Sequence, residues 1–545
     1  MRAPVRTALS VVGRTAWAAV VLALTAVVVV AAVRLPGEAA EPVEPVTAVA
    51  PPVMSVLTCP GPLRLATEQE GTDATYDPAF DPSPADATSD LVVVTAAPGV
   101  EGTQDESPSG ASPARVTPMA GGGPVGELAA GVEAGVLSLP GADAGLVVQA
   151  DPVGDVPPWA SAGVTWRAGT GDLRGLAAAS CRRPSATTWL VGGSTVLGSS
   201  ARLVLQNPGA TPATVGLRMW GARGPVELAG APDYLVGPGE EETVLLEGLA
   251  AEQGQVVVEV TATGGLVSAY LQDSRTDGLT PAGIDLVVGG AEPATELLVP
   301  AISVTEDDPE AAVLRLLAPG AEPDPADPEA ADDADGPGSG TAHVVLLGPD
   351  GVADLPGTED ISMDVGDVID VPLDGLAPGD YTAWVTADVP VVAGATVTRL
   401  GSAPAGEDVP VERAWSPAVV GGLSGPLAVP GEEPGRLVLA AAPSDEVSGP
   451  ARAEVLAIDA AGAVLVRRDV LVPASGSVAL DLTGLTEAPP AADDDTAPER
   501  ATALVVRTQD PRVAWGVVLE GPGSVAVLAP VPQQSARPEL AVTLR

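Results

Sequence analysis

The sequence has 545 residues, which is too long for one ordinary hydrophobic core and predicts about three or four domains. Its formal net charge of −46 combines 72 acidic residues with scattered arginines, and this balance excludes a protein that binds nucleic-acid phosphates. Because the chain has no lysine and a single histidine, phosphate-binding loops of the Walker type, lysine-based covalent catalysis and sites with several histidine ligands are also excluded.

The first element is a long apolar segment near the N-terminus. Residues 15–33 read TAWAAVVLALTAVVVVAAV, carry no charge and are long enough for one helix across a membrane. Arginines precede this segment, whereas three glutamates follow Arg34. The positive-inside rule therefore places residues 1–14 in the cytoplasm and the bulk of the chain outside it.

We expect this segment to stay in place as an uncleaved, single-pass anchor in the cell membrane. One alternative is cleavage after Ala48-Val49-Ala50, which lies far downstream and precedes a proline. A second alternative is lipidation of Cys59, but a linker separates this cysteine from the apolar segment.

The region after the anchor predicts little regular structure. Residues 34–54 are rich in proline and glutamate and predict an extended stalk. Residues 55–187 follow as an N-terminal extracytoplasmic region, and small and polar residues dominate positions 68–123 within it. Such a composition buries little apolar surface, so we expect a low-complexity loop there and a partly disordered region.

Beyond residue 187 the sequence repeats itself with a period of roughly 110–120 residues. Each copy contains short runs of alternating apolar and polar residues bounded by glycine and proline, which is the pattern of half-buried β-strands. The best-matched runs are TVLLEGL from Thr243, IDVPLDGL from Ile369 and VALDLTGL from Val478. This period is typical of a β-sandwich, so the sequence predicts an all-β fold with about three tandem immunoglobulin-like repeats after the anchor. The predicted repeats span residues 188–296, 297–414 and 415–545.

The second and third repeats carry acidic insertions at residues 305–340 and 487–500. Both are rich in charge and broken by proline, so we expect solvated loops. The run DADG at Asp333 imitates part of an EF-hand loop, but Ala331 and Ala342 would occupy its first and twelfth ligand positions, which excludes that motif. The sequence leaves open whether these insertions bind calcium.

Cys59 and Cys181 are the only cysteines. Outside the cytoplasm, two cysteines predict one structural disulfide that closes a long loop. The alternative is two separate buried thiols.

The residue types that carry chemistry are scarce. A serine triad would need His343, which lies on a predicted strand and has no G-x-S-x-G motif beside it. Some carboxylate pair is inevitable among 72 acidic residues, but so few aromatic residues disfavour a glycosidase cleft. We therefore expect no enzyme, and no catalytic, cofactor-binding or metal-binding residues.

Tryptophans on or beside predicted strands are expected to fill the sandwich cores. They are Trp189, Trp220, Trp384, Trp415 and Trp515. The alternative is that one or two of them form an exposed platform on which sugars stack.

Several motifs together resemble an uncharacterised actinobacterial family, domain of unknown function 5719, whose members have one N-terminal membrane segment. The motifs are LVLQNP from Leu203, LVSAYLQDS from Leu266, TPAGID from Thr280, CPG from Cys59, and Cys181 followed by WLVGG from Trp189. The resemblance covers nearly all of the chain outside the acidic insertions. It implies a setting in the cell envelope and brings no catalytic residues.

Together these observations predict a non-catalytic, membrane-anchored cell-envelope protein whose extracytoplasmic bulk acts as a scaffold or accessory binding protein. One alternative is a carbohydrate- or cell-wall-binding protein, which two tryptophans on one exposed face would favour. A remote alternative is an extracytoplasmic hydrolase, which needs a deep cleft with two carboxylates. The expected partners are the membrane and an envelope protein or wall glycan, without nucleic acid.

Overall fold

The computed structural model describes residues 17, 19–26, 46–49, 51–65, 86–98, 110–230, 233–278, 280–306, 312–320, 338–401, 409–444, 446–483, 485, 500–533 and 539–542. The fold is all-β, with 59% strand and 3% helix. Two compact units are present: one comprises Met1–Ala50 with Arg537–Arg545, and the other comprises Pro51–Ala536.

In the smaller unit, β1 (Val46–Val49) pairs antiparallel with β35 (Glu539–Val542). Part of the predicted stalk is thus a strand. Residues 17 and 19–26 are helical, but within the described ranges no helix is both long and apolar enough to cross a membrane. The rest of the predicted anchor at 15–33 and all of residues 1–14 lie outside the described residues.

The larger unit begins with a β-sandwich where the sequence predicted a partly disordered region. Its strands are β2 (Ser55–Cys59), β3 (Thr88–Ala96), β4 (Ala114–Pro118), β5 (Gly126–Leu128), β6 (Ala134–Pro140), β7 (Leu146–Ala150), β8 (Trp159–Ala168) and β9 (Gly175–Ser180). They form two sheets with the orders β2-β7-β4-β5 and β6-β3-β8-β9. Two of these strands, β3 and β4, lie inside the predicted low-complexity loop at 68–123, whose residues 68–85 and 99–109 lie outside the described ranges.

The second sandwich follows directly. Its strands are β10 (Thr187–Val191), β11 (Ser199–Gln206), β12 (Ala213–Gly221), β13 (Gly224–Pro225), β14 (Asp233–Val236), β15 (Glu241–Leu245), β16 (Val257–Thr263), β17 (Ser268–Asp277) and β18 (Thr280–Val288), with one helical turn, α1 (Leu246–Leu249). Its sheets have the orders β10-β16-β12-β13, with β14 also paired to β12, and β15-β11-β17-β18.

The third sandwich contains the longest strand. Its strands are β19 (Ala294–Val304), β20 (Ala312–Leu317), β21 (Ser339–Gly348), β22 (Gly351–Ala353), β23 (Ile361–Asp364), β24 (Val368–Pro372), β25 (Gly379–Leu400) and β26 (Val411–Pro417). The first half of β25 pairs with β19 and β21, and its second half pairs with β20 and β26. The strand β20 interrupts the predicted insertion at 305–340, of which residues 307–311 and 321–337 lie outside the described ranges.

The fourth sandwich completes the unit. Its strands are β27 (Gly425–Ala428), β28 (Gly435–Ala441), β29 (Ala451–Ile458), β30 (Val464–Val472), β31 (Gly476–Asp481), β32 (Ala503–Thr508), β33 (Val513–Gly521) and β34 (Ser524–Leu528). Its sheets have the orders β27-β32-β29-β30 and β31-β28-β33-β34. The predicted insertion at 487–500 lies outside the described residues except for Arg500.

All four sandwiches share one strand order. Eight positions are common to the four sandwiches when β14 and β23 are left out and the two halves of β25 are counted as the sixth and seventh strands. One sheet then runs first, sixth, third, fourth, and the other runs fifth, second, seventh, eighth. The described residues therefore form four copies, one more than the three that the sequence pattern indicated. One border also differs: Trp415, predicted to open a repeat, lies on β26, the last strand of the third sandwich.

Alternating side chains explain why these runs form sandwiches. Along β12, Ala213, Val215, Leu217 and Met219 are buried, while the residues between them are partly or fully exposed. A strand with one apolar face must cover it, and two such sheets packed face to face do so.

The last strand of each sandwich, here called its closing strand, connects the four copies. Around the unit, β9 packs against β18, β18 against β26, β26 against β34, and β34 against β9. The fourth sandwich thus packs on the first, and the four closing strands form a closed circuit. Apolar clusters shared by the fourth and first sandwiches include Val92, Val94, Leu456 and Val505.

Candidate functional site

The closing strands are edge strands that become buried where the four sandwiches meet. Their outward backbone groups need partners, because an unpaired buried N–H is costly. Side chains of other closing strands supply some of them. The Glu412 carboxylate on β26 accepts a 2.9 Å hydrogen bond from the Leu176 N–H on β9, and the Ser180 hydroxyl on β9 donates to the Ala529 carbonyl after β34 at 2.7 Å.

Asp285 on β18 has the same role at the centre of the circuit. It is fully buried, and its Oδ2 accepts a 2.5 Å hydrogen bond from the backbone N–H of Trp415, whereas its Oδ1 is buried without a partner among the described residues. The Trp415 donor lies on β26, so this hydrogen bond joins two closing strands. Burial nevertheless raises the pKa of Asp285 well above its ordinary value, with the nearby Asp273 carboxylate adding to the rise.

Asp273 on β17 is the direct cross-strand partner of Asp285. It is 2% exposed and accepts a 2.8 Å hydrogen bond from the indole N–H of Trp415, and the Arg413 guanidinium lies 3.8 Å from it. Gly283 permits this close approach of β18 to β26, because its φ is +110° and an added Cβ would lie 2.9 Å from the Arg413 Cβ.

A pocket of about 440 Å³ opens where the closing strands end, and we call it the axial pocket. All four sandwiches contribute to it. Its lining comprises Arg182, Arg183, Ser185, Thr187, Thr188, Ser268, Ala269, Gly289, Gly290, Ala291, Glu292, Pro293, Ala294, Ala418, Val419, Val420, Leu423, Pro530, Val531 and Pro532. Its volume falls within the range of small-molecule sites.

The arginines of the axial pocket are held by the disulfide. Cys59 and Cys181 are bonded and fully buried, and Arg182 directly follows Cys181. The Arg182 N–H donates to the Thr58 carbonyl at 3.0 Å, and the Thr58 N–H donates to the Arg182 carbonyl at 2.8 Å. The backbone that presents both guanidinium groups is therefore fixed to β2 by a covalent bond and two hydrogen bonds.

The guanidinium groups themselves are poorly satisfied. Within the described part of the chain, Nε and Nη2 of Arg182 and Nε of Arg183 are buried without a hydrogen-bond partner. Burial lowers the pKa of Arg182 to about 10 and lowers that of Arg183. Arg182 therefore stays cationic at neutral pH and carries unused donors.

One acidic side chain, Glu292, also lines the axial pocket. Partial burial raises its pKa, the Glu259 carboxylate adds to the rise, and a hydrogen bond to the Trp189 side chain opposes it. The pocket thus combines two cationic groups and one carboxyl group in a chain whose net charge is −46.

A second concave surface, here called the outer cleft, lies on the fourth sandwich and its neighbours. One part has a volume of about 1050 Å³ and includes Trp159, Arg467 and Arg507, and an adjoining part of about 470 Å³ includes Trp384. Both parts share Ser444, Pro511 and Arg512. Arg507 is paired with Glu454 at 2.7 Å, and Arg512 is paired with Asp510 at 2.6 Å.

The expected disulfide is present. Of the predicted core tryptophans, Trp189, Trp220, Trp415 and Trp515 are buried, whereas Trp384 is only partly buried and its indole donates to Glu296 at 3.0 Å. His343 is half-exposed on β21, 3.4 Å from the Asp360 carboxylate. In the ranges that the structure describes, no group of three or more His, Cys, Asp or Glu side chains could hold a metal ion.

The sequence did not single out Asp273, Asp285, Glu412, Arg182 or Arg183. A usable signal existed for Asp285, because it is the one carboxylate within the largely apolar strand β18, in GIDLVV. A charged residue at such a position needs a buried partner. The two arginines follow a cysteine and gave no comparable signal.

Comparison with known families gives one match. A family model described as a family of unknown function matches residues 136–483, which is more than half of the chain. No curated protein matches the sequence. The matched range begins in β6 and ends just after β31, so it includes strands of all four sandwiches.

Proposed function

Because this chain belongs to the family of unknown function DUF5719, which carries no assigned activity, we propose from its geometry that it is a non-catalytic binding protein of the cell envelope. In this proposal the four sandwiches form a scaffold and the axial pocket holds a ligand. The observation that carries the proposal is the closed circuit of β9, β18, β26 and β34, with one pocket at its end to which every sandwich contributes.

A binding role fits the side chains of the axial pocket better than catalysis does. The lining has no cysteine, histidine or lysine. Its Ser185 hydroxyl is shared with Thr188 Oγ1 at 2.9 Å and with the Thr187 carbonyl, so no general base activates it. The buried pair Asp273 and Asp285 does not line the axial pocket or the outer cleft, which disfavours a hydrolase built on that pair.

We further propose that the protein is anchored by one N-terminal helix, with its bulk outside the cytoplasm. Two observations support this proposal. The helical residues around position 20 expose large apolar side chains, including Trp17 at 74% and Leu22 at 70%. A buried disulfide such as Cys59–Cys181 also belongs to an oxidising compartment.

The test is crosslinking in living cells, followed by purification of the full chain through a C-terminal tag and mass spectrometry. We expect reproducible enrichment of one envelope protein with the chain, and less of it when the closing strands are disturbed by Asp285→Ala. A matched control is Asp143→Ala, which changes an exposed carboxylate. Recovery of the chain without any enriched envelope component would contradict the proposal.

A second candidate function is binding of a wall glycan in the outer cleft. It is favoured by Trp159 and Trp384, which are partly exposed and line adjoining parts of that cleft beside paired arginines and carboxylates. Aromatic faces and fixed polar groups are what a sugar surface needs. Binding of purified wall fragments should weaken in Trp159→Ala and Trp384→Ala but not in Val352→Ala, an exposed apolar control. Equal binding by all variants would remove this candidate.

A further inference from the structure

We propose that the axial pocket binds an aliphatic anion with a single head group, a carboxylate or a phosphate monoester on a saturated chain, whose head contacts Arg182 and Arg183. This inference rests on the proposed binding function and names its ligand class. Three independent features of the pocket support it: unused donors, local charge and an aliphatic wall.

The unused donors define the head group. The described contacts of the two side chains are weak, 3.4 Å from Arg182 Nη1 to the Pro530 carbonyl and 3.5 Å from Arg183 Nη2 to Gln533 Oε1. Three further guanidinium nitrogens, Nε and Nη2 of Arg182 and Nε of Arg183, have no partner among the described residues and are enclosed by protein, so the two side chains must turn towards the pocket to bring these donors to a head group. Buried charged donors gain most from an anionic oxygen acceptor, and the planar guanidinium matches the paired oxygens of a carboxylate or phosphate.

Local charge selects for an anion that carries one or two negative charges. The axial pocket has two arginines and Glu292, whereas the chain as a whole repels anions. Partial burial favours the neutral form of the Glu292 carboxyl group, so its electrostatic repulsion of a bound anion is weaker. Both arginines would repel a cationic ligand, and the negative charge of the whole protein would repel a highly charged anion.

The aliphatic wall defines the body of the ligand. Most of the remaining lining consists of alanine, valine, leucine and proline, including Val419, Leu423 and Val531, and none of it is aromatic. A sugar or a nucleobase would be expected to stack on an aromatic ring, whereas a saturated chain needs only apolar area. The pocket is half-open, so a longer chain could extend out of it.

The test uses the purified full chain held in amphipol, titrated by calorimetry with hexanoate, hexyl phosphate, hexanol and hexylammonium. We expect one of the two anions to bind at least about tenfold more tightly than hexanol and hexylammonium, since one charge-assisted hydrogen bond contributes about 1.5–3 kcal/mol. A preference between the two anions identifies the head group as a carboxylate or a phosphate. Equal binding of hexanol and the anions, or no binding of any probe, would overturn the inference.

Variants localise the binding. Arg182→Gln and Arg183→Gln should each weaken anion binding by about tenfold or more, while Arg115→Gln, an arginine on β4 away from the pocket, should leave it unchanged. Ala294→Phe narrows the pocket without touching the arginines and should also weaken binding. If an arginine variant fails to fold, Ala294→Phe still tests whether the anion binds in the axial pocket. Unchanged binding in Arg182→Gln, Arg183→Gln and Ala294→Phe would overturn the inference.

The cellular crosslinking result separates this inference from the proposed function. Enrichment of an envelope partner without anion binding would overturn the ligand class alone. Anion binding without an enriched envelope partner would contradict the scaffold role while supporting the ligand class, and failure of both experiments would overturn the two proposals together.

Discussion

The backbone N–H of Trp415 donates a 2.5 Å hydrogen bond to the Asp285 carboxylate, which joins the third sandwich to the second. The same tryptophan donates its indole N–H to Asp273, the cross-strand partner of Asp285. Two closing strands are therefore joined through one residue of β26 and two carboxylates of the neighbouring sheet. This arrangement satisfies buried backbone groups that an edge strand would otherwise leave unpaired.

The first prediction concerns Asp285. Asp285→Ala should lower the free energy of unfolding by about 1–3 kcal/mol, because it leaves the buried N–H of Trp415 without an acceptor. Urea unfolding followed by tryptophan fluorescence measures this change. Asp143→Ala, at an exposed loop position, should alter the free energy of unfolding by less than about 0.5 kcal/mol. A similar effect of both variants would contradict this role of Asp285.

The second prediction is a pH dependence that comes from Glu412. Burial raises the pKa of Glu412 to about 8, from an ordinary value of 4.5, against opposing contributions from the Leu176 N–H and Arg174. Between these two values the folded state keeps a proton that the unfolded state releases, so this group makes the protein less stable as the pH rises from 4.5 to about 8.

Glu412→Gln removes this titration. Its free energy of unfolding should therefore rise relative to that of the wild-type protein by a few kcal/mol between about pH 5 and about pH 8. Urea unfolding at several pH values gives the difference. Ser416→Ala changes another buried polar contact of β26, the hydrogen bond to the Pro300 carbonyl, without adding or removing a titrating group. Its difference from the wild type should stay constant with pH. A flat difference for Glu412→Gln would show that the carboxyl does not titrate in this range.

The third prediction concerns the disulfide. Cys59 and Cys181 are 122 residues apart, so the bond restricts a long loop in the unfolded chain. In the chain-entropy model, replacing both by serine should lower the free energy of unfolding by about 5 kcal/mol. The same double variant should weaken binding of an aliphatic anion, because Arg182 loses its covalent support. Intact anion binding in a folded double variant would show that the hydrogen bonds to Thr58 suffice.

The fourth prediction concerns the junction of the third and fourth sandwiches. Arg436 pairs with Asp380 at 2.7 Å and with Glu520 at 2.8 Å, and Arg399 also pairs with Glu520 at 2.7 Å. Arg436→Gln leaves the largely buried Asp380 without its cation and should lower the free energy of unfolding by about 2–4 kcal/mol. Arg115 makes an exposed hydrogen bond to Gln149, so Arg115→Gln should change the free energy of unfolding by less than about 0.5 kcal/mol. Equal effects would indicate that the network adds no stability.

The local pattern of the sequence determined the fold class. Runs such as VGLRMWG on β12 alternate in the way that a half-buried strand requires, and the structure is all-β as predicted. Composition also predicted that Trp189, Trp220 and Trp515 are buried. The expected compartment predicted that Cys59 pairs with Cys181. The strands and the buried tryptophans depend on a residue's own type and its near neighbours, and the disulfide followed because the chain has two cysteines.

The first sandwich, which is the additional copy, did not follow from the sequence pattern. Its apolar run on β3, Leu91–Val94, is flanked by segments rich in small and polar residues, and those dominate any average taken along the chain. Only the pairing of β3 with β6 and β8 identifies it as the second strand of a sandwich. Strand pairing depends on partners that are distant in sequence, which periodicity does not record.

The axial pocket and the buried carboxylates were decided by tertiary structure alone. The Ser180 hydroxyl donates to the Ala529 carbonyl across a separation of 349 residues, and Arg182 contacts Pro530 beside it. No local signal can specify such a contact, because it exists only when the fourth sandwich packs on the first. The sequence by itself therefore determined which segments become strands, and the closure of the four sandwiches determined which charged side chains lose water.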